Sequence, residues 1–423
     1  MATALDNEAN HELDERTKPP FLRRVRIRGY KSVAFCDVSL QPLTILVGRN
    51  AAGKSNFLDA LAFLRDIFVV GVNEASKRHG GYEAIPCRAC PSSSVLIEIE
   101  FGYTIADDAD LWTGIYSIEI DFPKKRAAKI RHEVFRLQHD KWWVGYSNNN
   151  GKVTCSAADN GPMKRTWKIT DRPFLDNYHD TPVPEFHDAL AAIATYNFQP
   201  DTIRSVQKPL LGVMLEKDGR NLASVIGSLK EIDPDSVMRV RDYLSNIAEE
   251  IDSFDVVRYG EYETIRFRLR ADARGSALEF DAASMSDGTL RALASLVAAF
   301  QMVLPYGNPA VVGIEEPESS LHPAAMRALV DALDEATTRT QVLLTTHSAE
   351  MLDNPTIRPE NLLVVQMIDG QTRIGPVDEA TIEIVRGKLD TLGGLERENQ
   401  LEPNLDDMER QRQLSLAQEG TPS

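Results

Sequence analysis

The amino-acid sequence predicts an α/β fold with an antiparallel β lobe, and three observations support this prediction. An apolar run of β-forming residues, Leu43–Val47, leads into a glycine-rich loop and then into a segment whose apolar residues recur at helical spacing. In the middle of the chain, several segments alternate apolar and polar residues. The last third alternates helical patterns with short apolar strands, which is typical of the α/β class.

Bulk composition is that of an ordinary protein with a sizeable core. The chain has 423 residues, enough for two or three domains, and 43% of them are apolar. The net charge of −16 argues against a general nucleic-acid coat but allows a local basic patch. Because we find neither a signal-peptide pattern nor a long apolar run, we expect a cytoplasmic protein without membrane contact.

Patterns along the chain predict five segments. They are a disordered acidic segment (1–20), an N-terminal lobe with the glycine loop and a β-rich region (21–183), a helical and hairpin insertion (184–271), a C-terminal lobe (272–398) and a disordered tail (399–423).

The order of elements follows from local periodicity. In the N-terminal lobe we expect strands over residues 22–28, 33–40 and 43–47, a helix to about residue 72, and strands over 95–101, 115–122, 133–138, 142–146 and 166–169, with a loop around 148–151. The insertion should contain helices over 185–195, 221–232 and 234–251, the last capped by Asp233, and a hairpin over 255–271. Further helices are expected over 289–304 and 324–336, and strands over 310–315, 341–345 and 362–367.

The glycine-rich loop, Gly48–Ser55, fits the phosphate-binding pattern G-x-x-x-x-G-K-[ST]. A polyphosphate needs several N–H donors at close range, so the loop must turn tightly without side chains in the way. The following helix would add its unpaired N–H groups and the positive end of its dipole. We expect Lys54 to reach the β- and γ-phosphates and Ser55 to bind Mg²⁺, so the chain should bind a nucleoside triphosphate.

Two later apolar strands each deliver ionisable side chains at their ends. One ends in Glu315 and Glu316, and successive strand residues face opposite sides. We assign Glu315 to the Mg²⁺ shell and Glu316 to the water that attacks the γ-phosphate; the alternative is a solvated acidic loop. The other strand delivers His347, which would contact the γ-phosphate or orient that water, unless it is structural.

A third stretch, Ser-Asp-Gly-Thr at residues 286–289, opens a helix, with Ser286 as its expected N-cap. One interpretation is a helix start and nothing more. The other is that this helix end points at the γ-phosphate held by a second copy of the protein.

In this order, the glycine loop, Ser-Asp-Gly-Thr, Ile-Glu-Glu-Pro-Glu-x-x-Leu-His-Pro and Thr-Thr-His-Ser resemble the motifs of ABC-class ATPase heads. More narrowly, they resemble the RecF, SMC and OLD-type ATPases and the related bacterial AAA proteins of phage-defence and DNA-repair operons. The resemblance covers roughly residues 21–398. It implies a P-loop ABC-type ATPase head that uses ATP and Mg²⁺.

The resemblance also implies roles for individual residues. Walker A would comprise Gly48, Arg49, Asn50, Ala51, Ala52, Gly53, Lys54, Ser55 and Asn56, and the signature Ser286, Asp287, Gly288 and Thr289. Catalysis would fall to Glu316, His347 and Lys54, and metal binding to Ser55, Glu315 and Gln199. Lys31 would join the nucleotide site, and residues 319–322 would form the D-loop. Gln199, proposed as the Q-loop residue, is otherwise an ordinary loop glutamine.

Three departures from the family pattern bear on function. Asp287 stands where a second glycine is usual, which puts a carboxylate near phosphate, and Glu315 replaces the commoner aspartate. The interval from Ser55 to Ser286 is too short and too unpatterned for an SMC-like coiled-coil arm. After His347 we find no acidic cluster of the Toprim nuclease type, so a nuclease activity would belong to another chain.

Cysteines and basic residues suggest further sites. Only Cys87 and Cys90 have metal-like spacing, and without a second C-x-x-C we favour a reduced structural pair over zinc. Basic residues from Lys124 to Lys141 lie among aromatic residues, which suits DNA contacts, although we favour a solvated hairpin face as their explanation. The arginines at 266, 268 and 270 carry the same ambiguity.

Two functional hypotheses follow. In the first, an ATPase forms a homodimer or higher homo-oligomer through its ATP sites and thereby gates a separately encoded effector, for example a nuclease, in phage defence or DNA repair. In the second, the chain is a nucleotide-dependent scaffold whose hydrolysis is negligible because of Asp287. A transporter ATPase fits poorly, because of the large β region.

Overall fold

A computed structural model describes residues 21–104, 111–124, 126–158, 160–166, 171–177, 183–210, 214–271, 278–301 and 309–419. The segment 1–20, predicted to be disordered, lies outside these residues. The described residues form a mixed sheet of fourteen strands, a separate sheet of three strands, and helices packed against them. None of the helices described is both long and apolar enough to cross a membrane.

The chain begins with the elements that lead into the glycine loop and away from it. In the first strand Val25 and Ile27 are buried, while Arg26 and Arg28, which alternate with them, pair with acidic side chains of other strands in the sheet. This confirms the predicted half-buried strand. The elements are β1 (Leu22–Tyr30), β2 (Val33–Ser39), β3 (Leu43–Val47), α1 (Lys54–Val70) and α2 (Val72–Arg78).

The antiparallel lobe is a meander of six strands: β4 (Ser94–Thr104), β5 (Leu111–Asp121), β6 (Lys129–His139), β7 (Trp142–Asn149), β8 (Lys152–Ala157) and β9 (Asn160–Thr166). The predicted loop around 148–151 is instead a tight hairpin turn, because Asn150 and Gly151 both adopt positive φ. Strand β8 was therefore missed. The strand expected over 166–169 overlaps β9 at residue 166, and residues 167–170 are outside the described residues.

The insertion contains α3 (Val183–Ala191), β10 (Ile193–Tyr196), α4 (Pro200–Arg204), α5 (Leu222–Ile232), α6 (Pro234–Ile247), β11 (Ile251–Tyr259), β12 (Tyr262–Leu269) and β13 (Glu279–Asp281). The Asp233 cap is confirmed, since its carboxylate accepts a hydrogen bond from Ser236 N at 3.2 Å. The helix predicted over 185–195 was wrong at its end, where β10 pairs in parallel with the strand that ends at Glu315. Periodicity does not separate a four-residue buried strand from the last turn of a helix.

The C-terminal lobe contains α7 (Asp287–Phe300), β14 (Val311–Glu315), α8 (Pro323–Ala336), β15 (Gln341–Thr346), α9 (Ala349–Leu352), β16 (Leu362–Ile368), β17 (Gln371–Pro376), α10 (Glu379–Arg386), α11 (Leu392–Arg397) and α12 (Leu405–Glu419). The tail was expected to be disordered, whereas α12 packs on β2 and β17. There Gln411 is buried and accepts a hydrogen bond from Asp37 N. Among residues 405–413 of α12 only Met408 and Gln411 are buried, so the sequence there has no apolar face that would predict the packing.

Strand order determines where the motifs meet. The parallel strands run in the order β10-β14-β15-β3-β16, followed by β17, β2, β1 and the antiparallel lobe. Glu315 lies opposite Thr345, and Thr346 lies opposite Val47. Because parallel strands share one direction, the carboxyl ends of β14, β15 and β3 form a single edge. Helix α1 belongs to one apolar cluster and α7 and α8 belong to another.

The β lobe is held to the segment 171–177 by one buried carboxylate. Glu133 is fully buried and accepts hydrogen bonds from Tyr146 Oη at 2.6 Å and Phe174 N at 2.8 Å. Tyr116 Oη and Leu175 N donate at 3.2 and 3.3 Å. Burial raises the pKa of Glu133, and the four donors oppose that rise. A buried acceptor with this many donors is costly to remove.

We predict that Glu133→Ala lowers the free energy of unfolding by about 3–5 kcal/mol, because several buried donors lose their acceptor at about 1–3 kcal/mol each. Glu133→Gln should cost less, since its amide oxygen still accepts. The midpoint of urea unfolding measures both, with the exposed Glu261→Gln as control. A loss below about 1 kcal/mol for Glu133→Ala would contradict this role.

Candidate functional site

The glycine loop, the paired glutamates and His347 lie at one edge of the parallel sheet. Strand β3 leads into the loop, and α1 begins at Lys54. At Gly53 the backbone is left-handed, with φ 105°, and a Cβ there would lie 1.9 Å from Thr372 Oγ1, so only glycine fits. No side-chain cap bonds the start of α1, which leaves that helix end suited to an anion.

The Lys54 ammonium lies over the loop that it belongs to. It donates to Gly48 O at 2.6 Å and Arg49 O at 3.1 Å, and the side chain is largely buried. Burial lowers the pKa of Lys54, while nearby glutamates, first Glu316 and then Glu318, act to raise it. A cavity of about 400 Å³ next to it is lined by residues 50–56 together with Ser32, Glu316 and Met367.

Ser55 and Glu315, which we expect to bind metal, are brought into contact. The Ser55 hydroxyl donates to Glu315 Oε2 at 2.5 Å. Mg²⁺ takes oxygen ligands and is usually held by one or two carboxylates together with substrate phosphates. The two adjacent oxygens beside a phosphate-binding loop therefore fit Mg²⁺, and these are the residues that would hold it.

Glu316 turns away from Glu315 and faces the histidine. Its φ of 45° is left-handed, an arrangement that costs an ordinary residue of order 1–3 kcal/mol, and its N–H donates to Thr345 O at 3.0 Å. Its carboxylate lies 3.2 Å from His347 Nδ1 and 3.5 Å from Ser319 Oγ. The two glutamates thus point to different partners, which agrees with the separate roles that we assign to them.

A third carboxylate in this motif received no role from the sequence. Glu318 is buried and accepts a hydrogen bond from Thr346 Oγ1 at 2.5 Å. Burial raises the pKa of Glu318, and the Thr346 hydrogen bond opposes the rise. It ties the turn after β14 to the end of β15. The Glu-Glu-Pro-Glu spacing was the only available signal, since the hydroxyl partner is distant in sequence.

The signature residues open α7 as expected. Ser286 caps the helix by accepting a hydrogen bond from Thr289 N at 3.2 Å. At Gly288 a Cβ would lie 2.4 Å from Ser320 O, so glycine lets this turn pack against the predicted D-loop. Asp287 is paired with Arg204, a residue that sequence reasoning did not single out.

Gln199 forms a hydrogen bond and Lys31 an ion pair with residues other than the paired glutamates. Gln199 follows β10, which neighbours β14, and its amide donates to Asn197 Oδ1 at 3.0 Å. The Lys31 ammonium pairs with Asp59 of α1 at 2.5 Å. The described residues thus show Gln199 at the correct edge of the sheet, and they show Lys31 attached to the Walker A helix.

Comparison with known proteins gives two partial family matches and a shared fold. A family described as "AAA ATPase domain" matches residues 21–151, and one described as "AAA domain, putative AbiEii toxin, Type IV TA system" matches residues 158–353. No curated protein matches the sequence. A solved SMC head bound to the C-winged helix domain of ScpA is similar with a TM-score of 0.52 at 14% identity, over 86% of this chain and 99% of that one. An SMC head with an extended coiled coil, bound to the C-terminal domain of ScpA and derived from Pyrococcus furiosus, has a TM-score of 0.48 at 13% identity, over 88% and 100%.

The two family matches and the likeness to an SMC head together support an ATPase head of the RecF/SMC-like type. The predicted fold class is therefore confirmed, and at 14% identity the SMC head supports the fold alone. In the described part of this ATPase head, the β lobe, α3 to α6 and the small sheet occupy the interval between Walker A and the signature.

The C-terminal segment of the ATPase head reaches back to Walker A. Asn399 Oδ1 accepts hydrogen bonds from Arg49 Nη2 at 2.9 Å and Nε at 3.2 Å. Glu396 lines a cavity of about 410 Å³ together with Gly48 and Arg49. Burial raises the pKa of Glu396, and Lys54 opposes the rise. Neither residue carries a sequence signal, because the contact depends on how residues 392–401 fold back.

Cys87 and Cys90 lie in one turn, with Cys90 N donating to Cys87 O at 3.2 Å. A hydrogen bond with Cys90 lowers the pKa of Cys87 to about 7, although burial acts in the opposite direction. Among the described residues, no three or more His, Cys, Asp and Glu groups are arranged to hold a metal.

A buried charge cluster ties β1 and α2 to the Walker A helix. His79 lies between Asp59 and Asp66, with ring nitrogens 2.9 and 3.1 Å from their carboxylates. Burial alone would lower the pKa of His79, but the two carboxylates outweigh it and raise it. Tyr30 Oη also donates to Asp59 at 2.6 Å. The protonated imidazole therefore stabilises the folded head.

We predict that His79→Gln lowers the melting temperature more at pH 6 than at pH 9. The raised folded-state pKa means that this stabilisation is complete below the unfolded-state value of about 6.5 and is lost as pH rises through the folded-state value. We expect a loss of about 1 °C at pH 6, the shift that corresponds to about 1 kcal/mol in a chain of 423 residues. Thermal melts from pH 6 to pH 9 measure it, and a pH-independent loss would refute the charge argument.

Proposed function

We propose that this ATPase head hydrolyses ATP between two copies of itself and that their association gates a separately encoded effector. The observation that carries the proposal is the convergence of the Ser55–Glu315 and Glu316–His347 pairs beside Lys54. These side chains come from three different stretches of the chain. A purely structural acidic loop gives no reason for a hydroxyl, two carboxylates and an imidazole to meet at a phosphate-binding loop.

Each residue has a role that its position supports. Lys54 and the loop N–H groups bind the phosphates, and Ser55 with Glu315 holds Mg²⁺, which neutralises developing charge when bound. Glu316 accepts the proton of the attacking water, and His347 orients Glu316 and the γ-phosphate oxygen. Positioning and electrostatics supply most of the catalysis in phosphoryl transfer, so the chain needs no covalent intermediate.

The exposure of the signature supports the proposed self-association. Ser286 and Asp287 are both exposed at the start of α7, on a helix end suited to phosphate. ATP drives association only if it makes contacts in the dimer that it lacks in the monomer. We propose that the Ser286 hydroxyl and the helix N–H groups supply these contacts to the γ-phosphate in the partner.

The effector is expected to be another protein that acts on DNA, in phage defence or DNA repair. The description of one matching family names the AbiEii toxin of a type IV toxin–antitoxin system, and a similar SMC head was solved bound to a domain of ScpA. The alternative is a nucleotide-dependent scaffold with negligible hydrolysis. The rate of single-turnover hydrolysis separates the two functions.

We predict that Glu316→Gln reduces single-turnover ATP hydrolysis by about 10²–10⁴-fold, the usual contribution of a general base. ATP-induced dimers should persist, because the amide keeps the size of the carboxylate and the ATP is not consumed. Phosphate release and light scattering measure the two properties, with the exposed Glu261→Gln as a matched control. Wild-type hydrolysis indistinguishable from buffer would favour the scaffold, and absence of ATP-induced dimers would reject the self-association.

DNA contact would use the exposed basic side chains of the β6–β7 hairpin. Arg136 is exposed and stacks over Trp143 at 5.5 Å, and Lys141 is exposed at the hairpin turn. Arg131 lies 3.8 Å from Glu119 and 3.9 Å from Asp121, which reduces the positive charge there. The DNA hypothesis therefore depends on Arg136 and Lys141.

We predict that the double variant Arg136→Glu/Lys141→Glu weakens binding of a short DNA duplex at low salt. The salt slope should fall by about 1 for each DNA phosphate that the variant no longer neutralises. Fluorescence anisotropy over a salt series measures both quantities. Lys388→Glu, an exposed charge reversal on the C-terminal lobe, is the control. If the wild-type head does not bind DNA at low salt, the direct DNA role is excluded.

A further inference from the structure

Arg204 makes a set of contacts that converge on the signature. Its guanidinium donates to the Asp287 carboxylate, and to Met285 O through Nη2 at 2.9 Å and Nε at 3.3 Å. A further bond joins Nη1 to Asp201 Oδ1 at 2.8 Å, within α4. Arg204 therefore binds the residues on both sides of Ser286 and leaves the Ser286 hydroxyl to cap α7.

These contacts partly neutralise the negative charge that Asp287 places at the start of α7. A carboxylate in the first turn is favourable for the helix itself, because it faces the positive end of the dipole. It is unfavourable for a helix end that must receive a triphosphate, because the two negative charges repel. The Asp287 side chain is 53% exposed, so solvent screens this repulsion only in part before a partner covers it. Dimerisation would exclude that solvent.

We propose that Arg204 is a positioning residue that makes an acidic signature compatible with ATP bound in the partner subunit. It neutralises Asp287 and holds the Met285 carbonyl, and thereby directs the Ser286 hydroxyl and the first N–H groups of α7 outward. This inference rests on the proposed function of the signature in the dimer. The pairing with Arg204 would explain how a carboxylate is tolerated at a position where the ABC-class heads that this chain resembles usually have glycine.

Arg204 also connects the signature to the parallel sheet. Helix α4 starts immediately after Gln199, at the end of the strand that pairs with β14. A shift of this segment would move the guanidinium relative to Asp287. The signature is thus attached to the same edge of the sheet that carries Glu315.

The test is a double-mutant cycle between Arg204 and Asp287 in the Glu316→Gln background, where ATP is retained. Arg204→Ala should weaken ATP-dependent dimerisation by about 10- to 30-fold, and Asp287→Asn should change it by less than about threefold. The double variant should resemble Asp287→Asn, because removing the carboxylate removes the need for the guanidinium. Dimerisation of Arg204→Lys should be intermediate, since lysine keeps the positive charge but lacks the planar guanidinium that donates to several acceptors at once.

Two further measurements separate positioning from general stability. Binding of a fluorescent ATP analogue to the monomer should be unchanged by Arg204→Ala, because Arg204 is proposed to act only on nucleotide bound in the partner subunit. Arg386→Ala, which removes a comparable exposed ion pair with Glu360, is the control and should dimerise normally. Melting temperatures show whether each variant folds.

Several outcomes would overturn the inference. An Arg204→Ala defect that Asp287→Asn does not rescue would indicate a structural role. Normal dimerisation of Arg204→Ala would show that Asp287 needs no neutralisation. If the Glu316→Gln parent itself does not dimerise with ATP, the proposed function fails instead, and this result is distinguishable because it precedes any change at Arg204.

Discussion

The Ser55 hydroxyl donates to the Glu315 carboxylate across 260 residues of chain, and the nucleotide site depends on this contact. It requires β3 and β14 to lie in one sheet with only β15 between them, and in parallel, so that their carboxyl ends coincide. The same arrangement places His347 against Glu316. Strand order therefore fixes the relative positions of these polar side chains, since side chains on strand ends move little relative to one another.

Negative charge is concentrated at this edge of the sheet, and each carboxylate is balanced by a different partner. Ser55 donates to Glu315, His347 contacts Glu316, Thr346 donates to buried Glu318, and Arg204 pairs with Asp287. A polyphosphate would enter a region that already repels it, so binding relies on Lys54, on loop N–H groups and on a divalent cation. The net charge of −16 does not exclude the proposed nucleotide binding, because net charge says little about a single cleft.

The β lobe and the C-terminal segment support the site from outside it. Glu133 joins β5, β6 and β7 to residues 174 and 175 through buried hydrogen bonds, and His79 joins α2 to the Walker A helix through Asp59 and Asp66. Asn399 contacts Arg49 from the opposite direction. The links through Glu133 and His79 are buried, so removing a partner leaves a buried donor or charge alone, whereas the Asn399–Arg49 contact is exposed.

The sequence by itself determined the fold class, most helices and strands, and the motifs that meet at the site, because hydrophobic periodicity and the glycine loop are local properties. It did not determine β8, whose start depends on the positive φ of Asn150 and Gly151, nor β10, whose four residues become a strand only by pairing with β14. Only the tertiary structure decided that Arg204 pairs with Asp287, that Asn399 covers Arg49 and that α12 packs on β2. Such contacts join residues far apart in the chain, and they carry no periodicity, so they exist only once the sheet has brought their elements together.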